Sequence, residues 1–283
     1  MLDLPRCPFR RWWRQASALK PTETVTVRKL DLRSRRDVVT SEEAAVEMPL
    51  NIYVNAEQAA TLFATPTNQE ELAIGYLIGE GILRTYSDIR DISWSAETAS
   101  VKVHTKPRAP VRIDAARVVK VLTSACGSTE DFYRLLDRLD SPMVDSSRRI
   151  SASEVTRIAK QFNQHSRKLG RVGSFQSAAA FFGNKMEAFF EDVGLDNAVS
   201  KALGAIIKTG RDTSGAMLMS SGRQSASEVI KAARVGIPLI VSVRGPTYSG
   251  VWAAKKTGVT LCCFVTETSM RIYSGFERIV LKR

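Results

Sequence analysis

The chain has 283 residues, 44% of them hydrophobic and 25% charged, which is enough apolar material for two domains with cores of their own. No run of 18 apolar residues occurs, so no membrane-spanning helix is expected, and Arg10 and Arg11 have no apolar stretch behind them to make a signal peptide. The formal charge is +12, but residues 1 to 36 hold ten Lys and Arg against three acids and so carry +7 of it. The excess therefore reads largely as a basic tail, residues 1 to 21, in which Arg6, Arg10, Arg11 and Arg14 stand beside Trp12 and Trp13. Such a tail suits an acidic partner or nucleic acid, and equally a solvated extension. The four cysteines, Cys7, Cys126, Cys262 and Cys263, form no disulfide framework, so a reducing cytoplasm is the simplest setting.

Residues 22 to 150 read as a small α+β domain. Thr24 to Val27 alternates, Ala45 to Val54 carries Pro49 early as an edge strand permits, and Ala59 to Ala64 makes a further strand. Asn68 and Glu71 give a capping-box-like start to a helix running through Leu83, with Leu72, Tyr76 and Ile82 on one apolar face. Gly75 and Gly79, four apart, predict close packing of that helix on a sheet. Strands follow near Ile89 to Trp94 and Val101 to Thr105. Val118 to Leu122 is a short β-branched run ending in Thr123-Ser124-Ala125-Cys126-Gly127, and Ser128 and Asp131 then cap a helix with Phe132, Leu135, Leu136 and Leu139 on its face. Ser141-Pro142 ends it. The charged, Ser-rich stretch Asp145 to Ser153 reads as a linker.

Residues 151 to 283 make a second domain. A helix (Glu154 to His165) precedes a hairpin of Ser177 to Phe182, the turn Gly183-Asn184 and Met186 to Phe190. Helices at 195–209, 225–235 and 247–257 then alternate with strands at 215–220, 238–243 and 259–265, before a last strand near 270–273. Single helices between short apolar strands predict a mostly parallel sheet covered on both faces, an α/β fold. Ligands of such sheets sit beyond the carboxyl ends of the strands. Three junctions lie there. In the first, Asp192, Asp196 and Asn197 form an acidic corner that reads either as a site or as helix capping. The others, Ser220 to Ser225 and Arg244 to Thr247, each offer backbone N–H groups, hydroxyls and an arginine, a receptor for phosphate. No GxxxxGK[ST] or GxGxxG loop is present, so nucleotide hydrolysis and dinucleotide binding are not expected.

Several stretches, read together, resemble the FdhD family of formate dehydrogenase accessory sulfurtransferases. They include Glu71-Leu72-Ala73-Ile74-Gly75-Tyr76-Leu77-Ile78-Gly79-Glu80-Gly81, Thr123-Ser124-Ala125-Cys126-Gly127, Glu191-Asp192-Val193-Gly194, Ser221-Gly222-Arg223-Gln224-Ser225 and Gly258-Val259-Thr260-Leu261. The resemblance spans roughly residues 22 to 280. It implies a cytidine-deaminase-like, three-layer αβα carboxyl domain. It also implies that sulfur passes from a cysteine desulfurase to the molybdenum bis-pterin guanine dinucleotide cofactor of formate dehydrogenase or a related molybdenum or tungsten enzyme. Phe264, Val265, Thr266, Glu267, Thr268 and Ser269 match the family's cofactor contacts. Gly222 and Arg223 are added to them on the anion-site argument.

The chain departs from the family's pattern at identifiable places. The CGxCG loop stands as Cys126-Gly127-Ser128-Thr129-Glu130, TGGxH as Val172-Gly173-Ser174-Phe175-Gln176, and EDVGRHN as Glu191-Asp192-Val193-Gly194-Leu195-Asp196-Asn197. A sulfur carrier needs an exposed thiolate. Cys126, on a small-residue loop before a helix start, is the catalytic candidate, and with Thr129 in the second cysteine's place it cannot form an internal disulfide. Cys7 lies in the tail, and Cys262 and Cys263 read as structural, on opposite sides of a strand. A deaminase-like zinc site needs His or Cys at the starts of the two central helices, where Leu195-Asp196-Asn197 and Gly222 to Ser225 stand instead, so no zinc and no other resident metal is expected. The rival reading is a cofactor-binding chaperone that carries no sulfur. A nucleic-acid module driven by the tail is weaker, and a homodimer stays open.

Overall fold

A computed structural model of the chain describes residues 20–113, 143–169 and 173–281. Cys7, Cys126, nearly all of the basic tail, the run Val118 to Leu122 and the helix expected after Ser128 lie outside them. Among the described residues no helix is long and apolar enough to cross a membrane.

β1 (Thr22–Asp31) and β2 (Arg36–Ala45) form a two-stranded antiparallel ribbon whose side chains are mostly exposed on both faces. The long strand expected over Ala45 to Val54 is therefore split, because Val46-Glu47 separates the ribbon from β3 (Met48–Val54) of another sheet. In β3 alternation works as expected: Leu50, Ile52 and Val54 are buried. With β4 (Glu57–Ala64), β5 (Ile89–Ser95) and β6 (Ser100–Thr105) it makes a sheet of order β4-β3-β6-β5, in which only β3 and β6 run parallel.

Helix α1 (Gln69–Gly79) covers this sheet and is buried from Leu72 to Gly79, so its apolar residues serve two surfaces. Its start differs from the expected capping box. Asn68 takes a left-handed conformation (φ 57°) and its side chain caps nothing. Nor does the helix reach Leu83, since Gly81 turns the chain at φ +74°.

β7 (Ile150–Ser151) leads into α2 (Ala152–Leu169). The hairpin β8 (Gln176–Phe182) and β9 (Lys185–Asp192) follows, then α3 (Leu195–Lys208), β10 (Ala216–Ser220), α4 (Ala226–Arg234), β11 (Leu239–Ser242), α5 (Tyr248–Thr257), β12 (Thr260–Cys263), β13 (Arg271–Ser274) and β14 (Ile279–Val280). The six-stranded sheet has the order β13-β12-β11-β10-β8-β9. It is mixed, not mostly parallel. β10, β11 and β12 pair in parallel, while β8 runs against β9 and β10, and β13 against β12. A two-residue turn can only reverse a strand, and one joins β8 to β9.

Alternation along the strands divides the core. Ala178, Ala180, Leu218, Ile240, Leu261 and Cys263 face α3, α4 and α5. Ala179, Phe181, Met217, Val241 and Cys262 face α2 with its Val155, Ile158 and Phe162. The result is a three-layer αβα arrangement, and Cys262 and Cys263 do point to opposite faces.

Gly75 packs on a helix and not on a sheet. A Cβ there would lie 1.8 Å from the Ser200 carbonyl oxygen, and one at Gly204 would lie 1.9 Å from that of Glu71. Helices α1 and α3 thus touch backbone to backbone, joining the four-stranded sheet's unit to the six-stranded one. Gly79 makes room for the Lys231 side chain of α4. The stretch expected as a linker is packed on the second unit: Val144 N donates to Thr257 O, Ser146 Oγ to Ser214 O, and β7 pairs with β14.

Candidate functional site

β9, β10, β11 and β12 all run in one direction, so their carboxyl ends share one edge of the sheet with the start of the antiparallel strand β8. The first of these ends is the acidic corner. Asp192 and Lys201 are fully buried and paired at 2.7 Å. Asp192 Oδ2 also accepts from Thr65 N and Oδ1 from Gly194 N, Lys201 Nζ donates to Thr65 O, and Asn197 Nδ2 donates to Phe63 O. Burial lowers the Lys201 pKa, with Asp192 opposing. Nearby, Asp196 and Glu80 both pair with Lys231, and Asp196 accepts from Ser227 Oγ. The corner does not cap α3, whose N-cap is Gly194. It joins the two sheets' units.

The next two ends form a cleft of about 830 Å³. The loop after β10 and the loop after β11 are fastened together: Gln224 N donates to Gly245 O, Thr247 N to Gln224 O, and Ser242 Oγ to Gly222 O. Gly222 is buried, and a Cβ on it would come within 2.5 Å of the Leu195 side chain, which would have to shift to admit it. Ser221 Oγ accepts from Ser177 N and donates to Gln176 Oε1. Arg223 and Arg244 stand exposed on the rim, and Gly173, Phe175, Gln176, Ser225, Thr247 and the carboxylate Glu228 also line the cleft.

The two exposed guanidiniums are the groups here that can take an anion, since the hydroxyls of Ser221, Ser225 and Thr247 already donate to Gln176 Oε1, Glu228 Oε2 and Gln224 O. The helix starts behind them are less open than the sequence suggests. Ser225 Oγ and Glu228 close a capping box on α4, Glu228 Oε2 accepting from Ser225 N, and Thr247 Oγ1 accepts from Gly250 N on α5. The glutamate fills part of the anion field of α4, so affinity for an anion rests on the arginines.

Of the residues selected from sequence, Gly222 and Arg223 line the cleft. Phe264 to Ser269 form the adjoining loop after β12, beside the cleft but not in its lining. Phe264 N donates to Arg244 O, its ring lies where a Cβ on Gly245 would strike it at 2.5 Å, and Thr266 and Ser269 close a turn. Glu267 pairs with Lys160 at 3.3 Å. Sequence reasoning met Phe175 and Gln176 only as the place of the family's TGGxH motif and did not select them as site residues. Strand-end rules look where a strand enters a helix, whereas these residues stand at the start of an antiparallel strand.

The FdhD/NarQ family model matches residues 45–280, from the end of the ribbon to the last strand. The chain belongs to the FdhD/NarQ family. It is 30% identical over 256 residues to the sulfur carrier protein FdhD of Listeria innocua, covering 89% of this chain and 97% of that protein. It is 28% identical over 250 residues to the one of Geobacillus kaustophilus, covering 88% and 94%. The fold is that of a crystal structure assigned as a formate dehydrogenase accessory protein from Desulfotalea psychrophila. There the TM-score is 0.72 at 20% identity, over 92% of this chain and 100% of that one.

The family match covers every element that walls the cleft. It also covers Cys126, which lies outside the described residues. Of the remaining thiols, Cys262 and Cys263 are buried in β12, and burial pushes both up to about 12, where neither is a nucleophile at neutral pH. At the starts of α3 and α4, Asp196 is engaged by Lys231 and Ser227, and Ser225 by its capping box.

Proposed function

We propose that this FdhD/NarQ protein is a cytoplasmic sulfurtransferase. It takes sulfur from a cysteine desulfurase on Cys126 and passes it to the molybdenum bis-pterin guanine dinucleotide cofactor of formate dehydrogenase, or of a related molybdenum or tungsten enzyme. The observation that carries the reading is the cleft with Arg223 and Arg244 on its rim, in a chain whose relatives are named sulfur carriers.

In the first step the Cys126 thiolate attacks the terminal sulfur of the donor persulfide. A new S–S bond forms on Cys126, the donor's S–S bond breaks, and the donor cysteine leaves as a thiolate. Arg223 and Arg244 hold the substrate's phosphates, and Phe264 to Ser269 flank it from the neighbouring loop. The persulfide's S–S bond then breaks: its terminal sulfur passes to the substrate's metal as a sulfide ligand, the two electrons required come from the reduced metal, whose oxidation state rises by two, and Cys126 leaves as the thiolate. With Thr129 where the family carries a second cysteine, the persulfide is not discharged as an internal disulfide.

Intact-mass analysis after incubation with a cysteine desulfurase and cysteine tests the reading. The expected adduct is one sulfur atom per chain, located on Cys126 by digestion and absent in Cys126→Ser. A Cys126→Ser protein that still activates the client enzyme would replace the reading with its rival, a cofactor-binding chaperone that carries no sulfur. The missing second cysteine is what favours that rival.

A further inference from the structure

A second concavity lies at the other end of α4 from the cleft. The cleft takes the amino end of this helix, at Ser225 and Glu228, and the second hollow takes its last residue, Arg234. Nine helical residues at about 1.5 Å each separate the two sites by roughly 13 Å. Among the described residues they share no lining residue.

The hollow measures about 360 Å³, near the lower end of what small-molecule sites occupy, roughly 300–1,000 Å³. Three arginines surround it. Arg84 comes from the turn after α1, Arg112 from the segment after β6, and Arg234 from α4. Among the described residues no Asp or Glu is in its lining, and the exposed Pro110, with the buried Ile82 and Leu83 beneath it, supplies an apolar strip.

The walls are fixed by backbone contacts. Arg112 N donates to Ile82 O at 3.0 Å, which holds the segment carrying Arg112 against the turn carrying Arg84. Arg234 Nη1 donates to Gly79 O at 2.6 Å. Its guanidinium passes Gly81 so closely that a Cβ there would lie 3.2 Å from the guanidinium carbon, and Gly81 also needs its positive φ.

Arg84 and Arg112 are exposed, and neither has a side-chain partner among the described residues. Guanidiniums keep their charge at any ordinary pH, so Arg84 and Arg112 on one hollow repel one another until an anion enters. Their planar forks match phosphate oxygens two at a time.

We propose that this hollow binds a phosphorylated small molecule, with its phosphate on Arg84 and Arg112 beside Arg234 and its organic part against the apolar strip at Pro110. The site is independent of the cleft and of the sulfur-transfer reading. Because Arg84 and Arg112 belong to the four-stranded sheet's unit and Arg234 to the six-stranded one, occupancy fastens the two units together.

Isothermal titration with inorganic phosphate and with phenyl phosphate tests it. The background is Arg223→Gln/Arg244→Gln, which removes the arginines of the cleft. Phenyl phosphate is expected to bind that background as well as a second, weaker-affinity class of site allows, and several-fold tighter than inorganic phosphate, since only it reaches the apolar strip. Adding Arg84→Gln or Arg112→Gln is expected to weaken it about tenfold or more, with the thermal midpoint unchanged because both side chains are exposed. No binding to the background, or binding that ignores both substitutions, overturns the site. Equal affinity for the two probes overturns the role of the apolar strip and leaves a plain phosphate site. In the unmutated protein, phenyl phosphate should shift the backbone amide signals of Gly81 to Arg84. A shift confined to Ser221 to Ser225 would place all binding in the cleft and remove the hollow from consideration.

Discussion

Lys201 and Asp192 meet at 2.7 Å inside the molecule, with no exposed surface on either side chain. Removing the lysine leaves Asp192 charged and buried, a change that typically costs about 3–5 kcal/mol. That is a large part of the roughly 5–15 kcal/mol that stabilises an ordinary domain. Lys201→Met is therefore expected to lose about 3–5 kcal/mol of folding stability in urea denaturation. A loss under about 1 kcal/mol would mean that the pair contributes little beyond its own desolvation.

Gly204→Ala sets two effects of opposite sign against each other. Alanine gains about 1 kcal/mol of helix propensity over glycine. Its Cβ would nevertheless stand 1.9 Å from the Glu71 carbonyl oxygen, and neither backbone can yield without separating α1 from α3. Overpacking of this kind costs about 1–3 kcal/mol or more. The variant is expected to melt below the parent. A higher melting point would show that the helix crossing adjusts freely.

Much of the second half of the chain was legible in its sequence. The apolar runs Ser177 to Phe182 and Met186 to Phe190 about the turn Gly183-Asn184 marked the hairpin, and the helix expected at 225–235 forms as α4. What could not be read was tertiary in origin. Gly75 looks the same whether a sheet or a helix approaches it, and only the position of Gly204, more than a hundred residues away, decides. Asp192 has the chemistry of a cap, a ligand and an ion-pair partner alike, and burial beside Lys201 selects the third. The cleft was half legible. Gly222, Arg223 and Arg244 sit on strand-to-helix loops, whereas Gln176 joins them only through the sheet order that sets β8 between β10 and β9.

Glu191 provides a pH test. Burial raises its carboxyl above the usual range, and a hydrogen bond from Ser177 only partly opposes this. A carboxyl whose folded pKa exceeds its unfolded one holds its proton more tightly in the folded state. Its contribution is fully present below the unfolded pKa and is lost as pH rises through the folded one. Glu191→Gln removes that loss, so it should be at least as stable as the parent at neutral pH. The advantage should shrink on acidification into the ordinary carboxylate range. Thermal melts at a series of pH values would expose the opposite trend if burial is not the governing effect.

Cys262 and Cys263 should resist alkylation in the native protein at neutral pH, because both are buried and their thiols are held near 12. In urea both should react, at the rate at which β12 becomes exposed. Mass spectrometry of iodoacetamide-treated protein separates the two conditions. Fast native labelling of either residue would mean that the strand opens readily. The same shifts bear on alkaline stability. Thiols whose folded pKa is raised favour the native state up to their unfolded pKa and lose that contribution as pH rises toward 12, so stability should decline in strong alkali.

Arg223 carries the largest consequence for ligand binding. It stands exposed on the rim of the cleft, its neighbours Gly222 and Gln224 are buried, and its side chain supports no other part of the fold among the described residues. The capping box at Ser225 and Glu228 already answers part of the field of α4, so a guanine nucleotide's phosphates must rely on side-chain charge more than on the helix start. One charge-assisted hydrogen bond is worth about 1.5–3 kcal/mol, or roughly ten- to a hundredfold in affinity. Arg223→Ala should weaken guanine nucleotide binding by that factor, with little change in melting temperature. Arg244→Ala should weaken it as well, and by a different factor if the two guanidiniums hold different phosphates. Because Arg244 O also anchors Phe264 N through the backbone, which the substitution keeps, the loop from Phe264 to Ser269 should stay in place in both variants. Titration of the two variants against the parent decides the matter, and unchanged affinity in Arg223→Ala would remove that residue from the binding site.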